Sequence, residues 1–318
     1  MNYVQFGRTG VRVSPLCLGC MNFGGPTDEA TSIRIIHKAL DLGINFLDTA
    51  NVYSRGVSET YVGKALTGGK REKVFLATKV HAKMGDDPND RGNSRRHIMQ
   101  QVEASLARLQ TEWIDLYQIH RPDSATPIDE TLRALDDLVH QGKVRYLGCS
   151  TFPAWQICES LWVSDVLRIA RFDCEQPPYS IFDRRIENEV LPLCEKYDIA
   201  VIPWSPLYGG WLTGKYRKGQ PPPEGSREAR RKNELDRQVA EKRLDAVEKL
   251  IPLAEAKGCT LSQFALAWNM NNPTVTAPII GPRTEGQLED NFGALSVEIT
   301  PEDRKKVDEI VPPGANIP

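Results

Sequence analysis

Eight short apolar runs punctuate this chain, and most of the gaps between them have room for one helix. The runs are Leu16 to Cys20, Ile44 to Asp48, Val74 to Lys79, Ile114 to His120, Val144 to Ser150, Phe172 to Gln176, Ala200 to Trp204 and Ala277 to Ile280, all of strand length. Between them lie the amphipathic stretches Asp28 to Leu42, Ser58 to Leu66, Ser94 to Leu109, Ile128 to His140, Ile186 to Tyr197 and Leu261 to Asn271. Several of these open on an acidic or hydroxyl residue that can cap a helix. Strand followed by helix, repeated, calls for parallel pairing with right-handed crossovers. Either an open doubly wound sheet or a closed barrel satisfies that. A dinucleotide-binding open sheet carries G-x-G-x-x-G after its first strand, whereas here the first run is followed by MNFGGPTDEA. The pattern predicts an α/β fold of the closed (β/α)8 TIM-barrel type.

The 318 residues would suffice for two average domains or for one barrel, and the unbroken rhythm assigns 1–318 to a single barrel domain. The opening YVQFGRTGVRVS alternates on either side of Arg8, Thr9 and Gly10, as an N-terminal β-hairpin that plugs the barrel floor. The rhythm breaks twice. The first break, a long loop after the seventh run from Leu207 to about Asp236, holds Lys215, Arg217, Lys218, Arg227, Arg230, Arg231 and Lys232 around Pro221, Pro222 and Pro223. A stretch of this length in a compact domain is functional or flexible, and a barrel enzyme keeps its lids after strand ends. The second break is the tail after Ser296, read as a C-terminal helical extension.

Charged residues make up 26% of the chain, the formal net charge is -2 and the pI is near 6.3. That balance gives neither nucleic acid nor an anionic membrane a reason to bind; a small neutral or mildly anionic ligand suits it better. No apolar run approaches the roughly 18 residues of a spanning helix, and MNYVQFGRTG does not read as a leader. A cytoplasmic protein is expected. The seven cysteines are odd in number and mostly sit in apolar stretches, as reduced thiols do. Cys17 and Cys20 form a lone C-x-x-C, read as small strand residues without a metal.

Three of the runs end in chemistry. Asp48 and Tyr53 lie in INFLDTANVYSRG, Lys79 in VFLATKVH and His120 in IDLYQIHRP. In barrels of this type reacting groups gather where the strands' carboxyl ends open into loops. Each residue alone has a structural explanation, such as a cap, a packed ring or an ion pair. Together, an acid, a phenol, an amine and an imidazole from successive strand ends make one proton-transfer site suited to a carbonyl.

At this point the chain resembles the aldo-keto reductases. The likeness runs through FGRTGVRVSPLCLG, GINFLDTANVYS, LATKV, SLARLQTEWIDLYQIH, GCSTF, IPWSPL and IIGPRTEGQLEDN, in order and over nearly the whole chain. It implies an NADPH-dependent reduction of an aldehyde or ketone. In that scheme Tyr53 is the general acid, Lys79 lowers its pKa, Asp48 holds Lys79 charged, and His120 orients the carbonyl.

The resemblance also implies a cofactor set. Ser150 and Gln176 meet the nicotinamide carboxamide, Trp204 stacks on the ring, and Gly19, Cys20, Met21 and Asp48 line the same mouth. Ser205, Pro206, Leu207, Gly209 and Lys215 follow the pyrophosphate; Gly281, Arg283, Thr284, Gln287, Asp290 and Asn291 form the adenosine end, with Arg283 on the 2′-phosphate. Thr151 stands where many members carry Asn, and Asp290 where many carry Glu. Phe23, Phe152, Trp211 and Arg121 join Tyr53 and His120 as substrate-pocket candidates, Arg121 facing an anionic group or pairing with Asp123. The substrate is left open among small aldehydes, sugar-derived ketones and polycyclic ketones, as is the oligomeric state. Two other readings stand beside this one: an NADPH-binding regulatory subunit resembling potassium-channel β subunits, and a barrel lyase with Lys79 as a Schiff base.

Overall fold

Parallel strands and crossover helices close into a barrel with a short antiparallel hairpin beneath it. The computed structural model describes residues 1–230 and 237–317. Arg231 and Lys232 of the basic stretch, and the side chains of Arg227 and Arg230, lie outside that description. The hairpin pairs β1 (Val4–Gln5) with β2 (Arg12–Val13). Its Phe6 ring packs against Phe46 and Phe75 at 5.8 and 4.9 Å, which closes the barrel floor.

The barrel strands are β3 (Cys17–Gly19), β4 (Phe46–Asp48), β5 (Phe75–Val80), β6 (Ile114–Ile119), β7 (Val144–Ser150), β8 (Phe172–Gln176), β9 (Ala200–Val201) and β10 (Ile279–Ile280). All pair in parallel, in the order β10-β3-β4-β5-β6-β7-β8-β9. Thr276 N–H to the Val201 carbonyl and Ile279 N–H to the Pro203 carbonyl, each 2.8 Å, join the two ends. Residues alternate with the pleat. Phe46, Phe75, Leu116, Cys174 and Ala277 fill the barrel, while Leu47, Leu76, Tyr117 and Cys149 face the helical layer. Cys17 belongs to the first set and Cys20 to the second, and all seven cysteines are free thiols.

The outer layer comprises α1 (Glu29–Asp41), α2 (Val57–Ala65), α3 (Arg95–Leu109), α4 (Ile128–His140), α5 (Ala154–Leu167) and α6 (Val190–Lys196). It continues with α7 (Arg227–Arg230), α8 (Arg237–Ala256), α9 (Leu261–Met270), α10 (Glu285–Gly293) and α11 (Pro301–Ile310). Asp28, Ser94, Thr260, Thr284 and Thr300 cap their helices with side-chain oxygens. Helix α5 escapes the periodicity argument because its outward face carries Trp155, Trp162 and Val166, each at least 60% exposed, so no polar stripe marks it. Helix α6 starts later than the expected Ile186, since Pro192 has no N–H and its ring excludes the helical carbonyl of residue 188.

The described parts of the two irregular stretches pack on the barrel. After β9 the chain makes a 3-10 turn over Tyr208–Thr213, and Trp211, Leu212 and Tyr216 are buried in the core. The tail after Ser296 contains α11, then runs back so that Ile317 N–H meets the Phe182 carbonyl at 2.8 Å and Arg184 N–H meets the Ala315 carbonyl at 2.9 Å. Among the described residues no helix is long and apolar enough to cross a membrane.

Candidate active site

Asp48 and Lys79 belong to the inward faces of neighbouring strands, and both are almost completely buried. Lys79 Nζ donates to Asp48 Oδ1 at 2.5 Å, to the Thr49 carbonyl at 2.8 Å and to the Tyr53 oxygen at 3.2 Å. An ammonium has only three donors, so each of them has an acceptor here. Burial disfavours the charge, yet the Asp48 carboxylate and Tyr53 raise the Lys79 pKa above the ordinary lysine value.

Tyr53 opens a turn whose next residues, Ser54 at φ 49° and Arg55 at φ 53°, are left-handed and are followed by Gly56 at φ 92°. Each such non-glycine residue costs about 1 to 2 kcal/mol. The Ser54 hydroxyl, donating to the Phe23 carbonyl at 3.2 Å, helps to hold the turn. The phenol thereby reaches across β4 to Lys79. Burial raises the Tyr53 pKa above the ordinary tyrosine value; Lys79 opposes this and Asp48 adds to it. The expected lowering by Lys79 is therefore present but outweighed, and the phenol is protonated at neutral pH.

His120 follows β6, with its N–H on the Val80 carbonyl at 2.9 Å. Its ring meets Tyr53 edge-on, the centroids 5.7 Å apart and the planes at 82°. Burial, then the charges of Lys79 and Arg121 with His81, push its pKa down to about 2. The imidazole is neutral throughout the physiological range.

Gln118, which the strand-end argument passed over, belongs to this cluster. It donates to Asp48 Oδ2 at 3.0 Å, and Gln176 Nε2 donates to the same oxygen at 2.9 Å and to Gln118 Oε1 at 3.0 Å. The signal was legible in the sequence: Gln118 lies two residues before His120 and so shares its face of the strand. A carboxylate oxygen only accepts, which fixes the amide orientations. Both N–H groups of Gln176 thus point inward and leave its Oε1 as an acceptor. Ser150 Oγ likewise donates to the Gln176 carbonyl at 2.8 Å and retains only acceptor capacity. Thr151, left-handed at φ 61°, places its hydroxyl beside Arg121 and hydrogen-bonds it.

The remaining expected cofactor residues fall into two groups. Around the mouth, Gly19 on β3 is opposite Asp48, and a Cβ there would come within 2.5 Å of Ile279 Cγ2. Cys20 is buried in the outer layer, its thiol donating to the Leu18 carbonyl at 3.7 Å, while Met21 is 54% exposed. Trp204, Ser205 and Gly209 border a cavity of about 310 Å³ that Tyr208, Trp211 and Arg243 also line. Pro206 is buried and Leu207 half-buried beneath it. Lys215 Nζ lies against Gly210, over the Tyr216 ring at 5.1 Å.

At the far end, Thr284 caps α10, and Gln287 Oε1 accepts from Arg283 N–H at 2.8 Å. Asn291 is buried, and Gly281 accepts from Asn22 Nδ2 at 3.0 Å. Two acids of α10 are taken by α1, Glu285 by Arg34 and Glu289 by Lys38, and neither pairs with Arg283. Its Nη1 reaches the Gly225 carbonyl at 3.5 Å. Asp290 does not join this group: its carboxylate accepts from the Thr260 and Ser262 hydroxyls at the start of α9.

The three aromatic substrate-pocket candidates are buried in this structure. Phe23 is fully buried in the outer core, and Phe152, turned inward after the left-handed Thr151, packs edge-on against Phe172 at 5.9 Å. Trp211 is also buried, donating to Glu228 Oε1 at 3.3 Å. Arg121 remains at the surface. It does not pair with Asp123, whose oxygens accept from Asn93 and Ala125 N–H and from the Thr126 hydroxyl.

The model of the Aldo/keto reductase family matches residues 15–312. The chain belongs to that family. The barrel, its hairpin plug and the strand-end cluster are thus the frame of an aldo/keto reductase, within an oxidoreductase family. The chain is 43% identical to an uncharacterized oxidoreductase, YrpG, of Bacillus subtilis (strain 168), over the whole of this chain and 98% of the relative. It is 38% identical to a probable voltage-gated potassium channel subunit beta of Oryza sativa subsp. japonica, over 98% of this chain and 97% of the relative. A putative subunit of the same description from Schizosaccharomyces pombe is 37% identical, over 96% and 92%.

Proposed function

We propose that this protein reduces an aldehyde or ketone to its alcohol using NADPH. The observation that carries the reading is the hydrogen bonding of Lys79. Its ammonium donates to the Tyr53 oxygen, so the phenol's own proton points elsewhere and is free for a substrate oxygen. Tyr53 acts as general acid, and neutral His120, beside it, holds the carbonyl oxygen and steadies the charge that develops there. Asp48 keeps Lys79 charged and in place, and Gln118 and Gln176 keep Asp48 in place. Once the proton leaves, the Lys79 charge stabilises the phenolate. In alcohol oxidation the same phenolate is the base.

Bound NADPH supplies the hydride. The residues present fit that cofactor. Gln176 Oε1 and Ser150 Oγ offer two acceptors in one corner, as a carboxamide NH₂ requires, with Trp204 as an aromatic platform. Arg283 and the capped start of α10 offer a guanidinium and helix N–H groups to a 2′-phosphate. The basic loop supports a lid role through the contact of Gly225 with Arg283.

The similarity to channel β subunits supports a second reading, in which the protein binds NADPH and regulates a partner. Steady NADPH oxidation with simple aldehydes, lost in Tyr53→Phe, is expected of the reductase; tight NADPH binding without turnover favours the regulator. A Schiff-base lyase is disfavoured, because a fully hydrogen-bonded ammonium is a poor nucleophile.

A further inference from the structure

The position of Arg121 speaks to the substrate left open above, and the inference rests on the carbonyl-reductase reading. Arg121 directly follows His120, and its carbonyl is held by Asn93 Nδ2 at 3.0 Å. Asn93 in turn bridges to His81 Nδ1 at 2.9 Å and to Asp123. The backbone at the mouth is therefore fixed on both sides. The guanidinium lies over the Trp204 ring, 5.7 Å from its centroid, and donates to the Thr151 hydroxyl.

Its guanidinium has no carboxylate within ion-pair distance among the described residues. Asp123, the nearest acid in sequence, is committed to its own loop. Glu175 lies behind the Ser150 turn, fully buried and with one oxygen unpartnered, where burial keeps it neutral near pH 7. A planar guanidinium with five donors has made one side-chain hydrogen bond here. The planar fork of a guanidinium suits recognition of an oxyanion.

We infer that the substrate is an anionic carbonyl compound, whose carboxylate or phosphate is held by Arg121 while its carbonyl oxygen sits between Tyr53 and His120.

The test compares matched aldehydes with NADPH as reductant: 4-oxobutanoate against its methyl ester, and glyceraldehyde 3-phosphate against glyceraldehyde. In the unaltered protein, kcat/KM is expected to be about ten- to hundredfold higher for at least one anion than for its neutral partner, mostly through KM. The favoured pair identifies carboxylate or phosphate. Arg121→Gln should collapse that ratio towards one, Arg121→Lys should restore part of it, and Arg121→Glu should invert it. A ratio near one in the unaltered protein, or one unmoved by Arg121→Gln, overturns the inference while the reductase reading survives. Lack of turnover of all four aldehydes overturns the inference, and NADPH oxidation with a ketone panel then decides whether the reductase reading stands.

Discussion

A Cβ built on Gly148 would lie 2.9 Å from Cγ of Gln118, the residue opposite it across the β6–β7 ladder. The same Cβ would come within 3.3 Å of Cys174. This glycine gives the Gln118 side chain room to reach Asp48. Gly148→Ala is expected to cost about 1 to 3 kcal/mol by overpacking and to lower kcat at least tenfold by displacing the support of Asp48. Thermal melts and NADPH-dependent turnover check both parts; normal kcat in a stably folded Gly148→Ala would remove Gln118 from the support of the site.

Tyr53→Phe deletes one oxygen from a half-buried ring. Turnover should fall by about two to four orders of magnitude, the range of general acid catalysis. NADPH affinity, measured by quenching of Trp fluorescence, should stay within about twofold, since the phenol is not among the cofactor contacts proposed here. A loss of less than tenfold in kcat would mean that the proton comes from elsewhere.

The pH dependence follows from two shifts with different consequences. The Tyr53 pKa is raised by burial, so the acid form persists through neutral pH and carbonyl reduction should decline only on the alkaline side. His120, held down to about 2, contributes no acid limb between pH 5 and 8. A His120→Gln variant should therefore lower kcat without changing the shape of the profile. A limb near pH 6.5 that disappears in His120→Gln would show an imidazole titrating in the complex.

How far the sequence could be read depended on which pattern each segment carried. Strands β7 and β8 and helix α4 end where the apolar runs and amphipathic stripes end. Strand β9 is shorter than its run because Pro203 has no N–H for the ladder. Helix α5 went unseen because Trp155 and Trp162 stand where a polar face is expected. At the site, Asp48, Lys79 and His120 were legible as polar residues ending apolar runs, but Gln118 needed the period-two argument. Phe23 and Phe152 are core side chains in this structure, and aromatic character alone does not tell a pocket wall from a core residue.

Glu175 offers a stability test. It is fully buried, with Oε1 accepting from Phe152 N–H at 3.3 Å and Oε2 unpartnered, and burial raises its pKa to about 8. A carboxyl with a raised folded-state pKa binds its proton more tightly when folded. Its contribution is therefore full below the unfolded value of about 4.3 and is lost as pH rises through about 8. Glu175→Gln should be close to neutral at pH 5 and should raise Tm by roughly 2 to 8 °C at pH 9. Equal shifts at both pH values would mean that the carboxyl does not titrate in this window.

Arg283 tests the cofactor end separately from the chemistry. Its guanidinium has a backbone carbonyl of the long loop as its neighbour, while Arg34 and Lys38 engage Glu285 and Glu289 of α10. Loss of a charge-assisted hydrogen bond to a phosphate costs about 1.5 to 3 kcal/mol, or roughly ten- to hundredfold in Kd. Arg283→Ala should therefore weaken NADPH by that factor and leave NADH within about twofold, narrowing the preference between them. Fluorescence titration with each dinucleotide gives the answer directly. Equal losses for both would move Arg283 off the 2′-phosphate and make its contact with Gly225, and through it the closure of the loop, its main contribution.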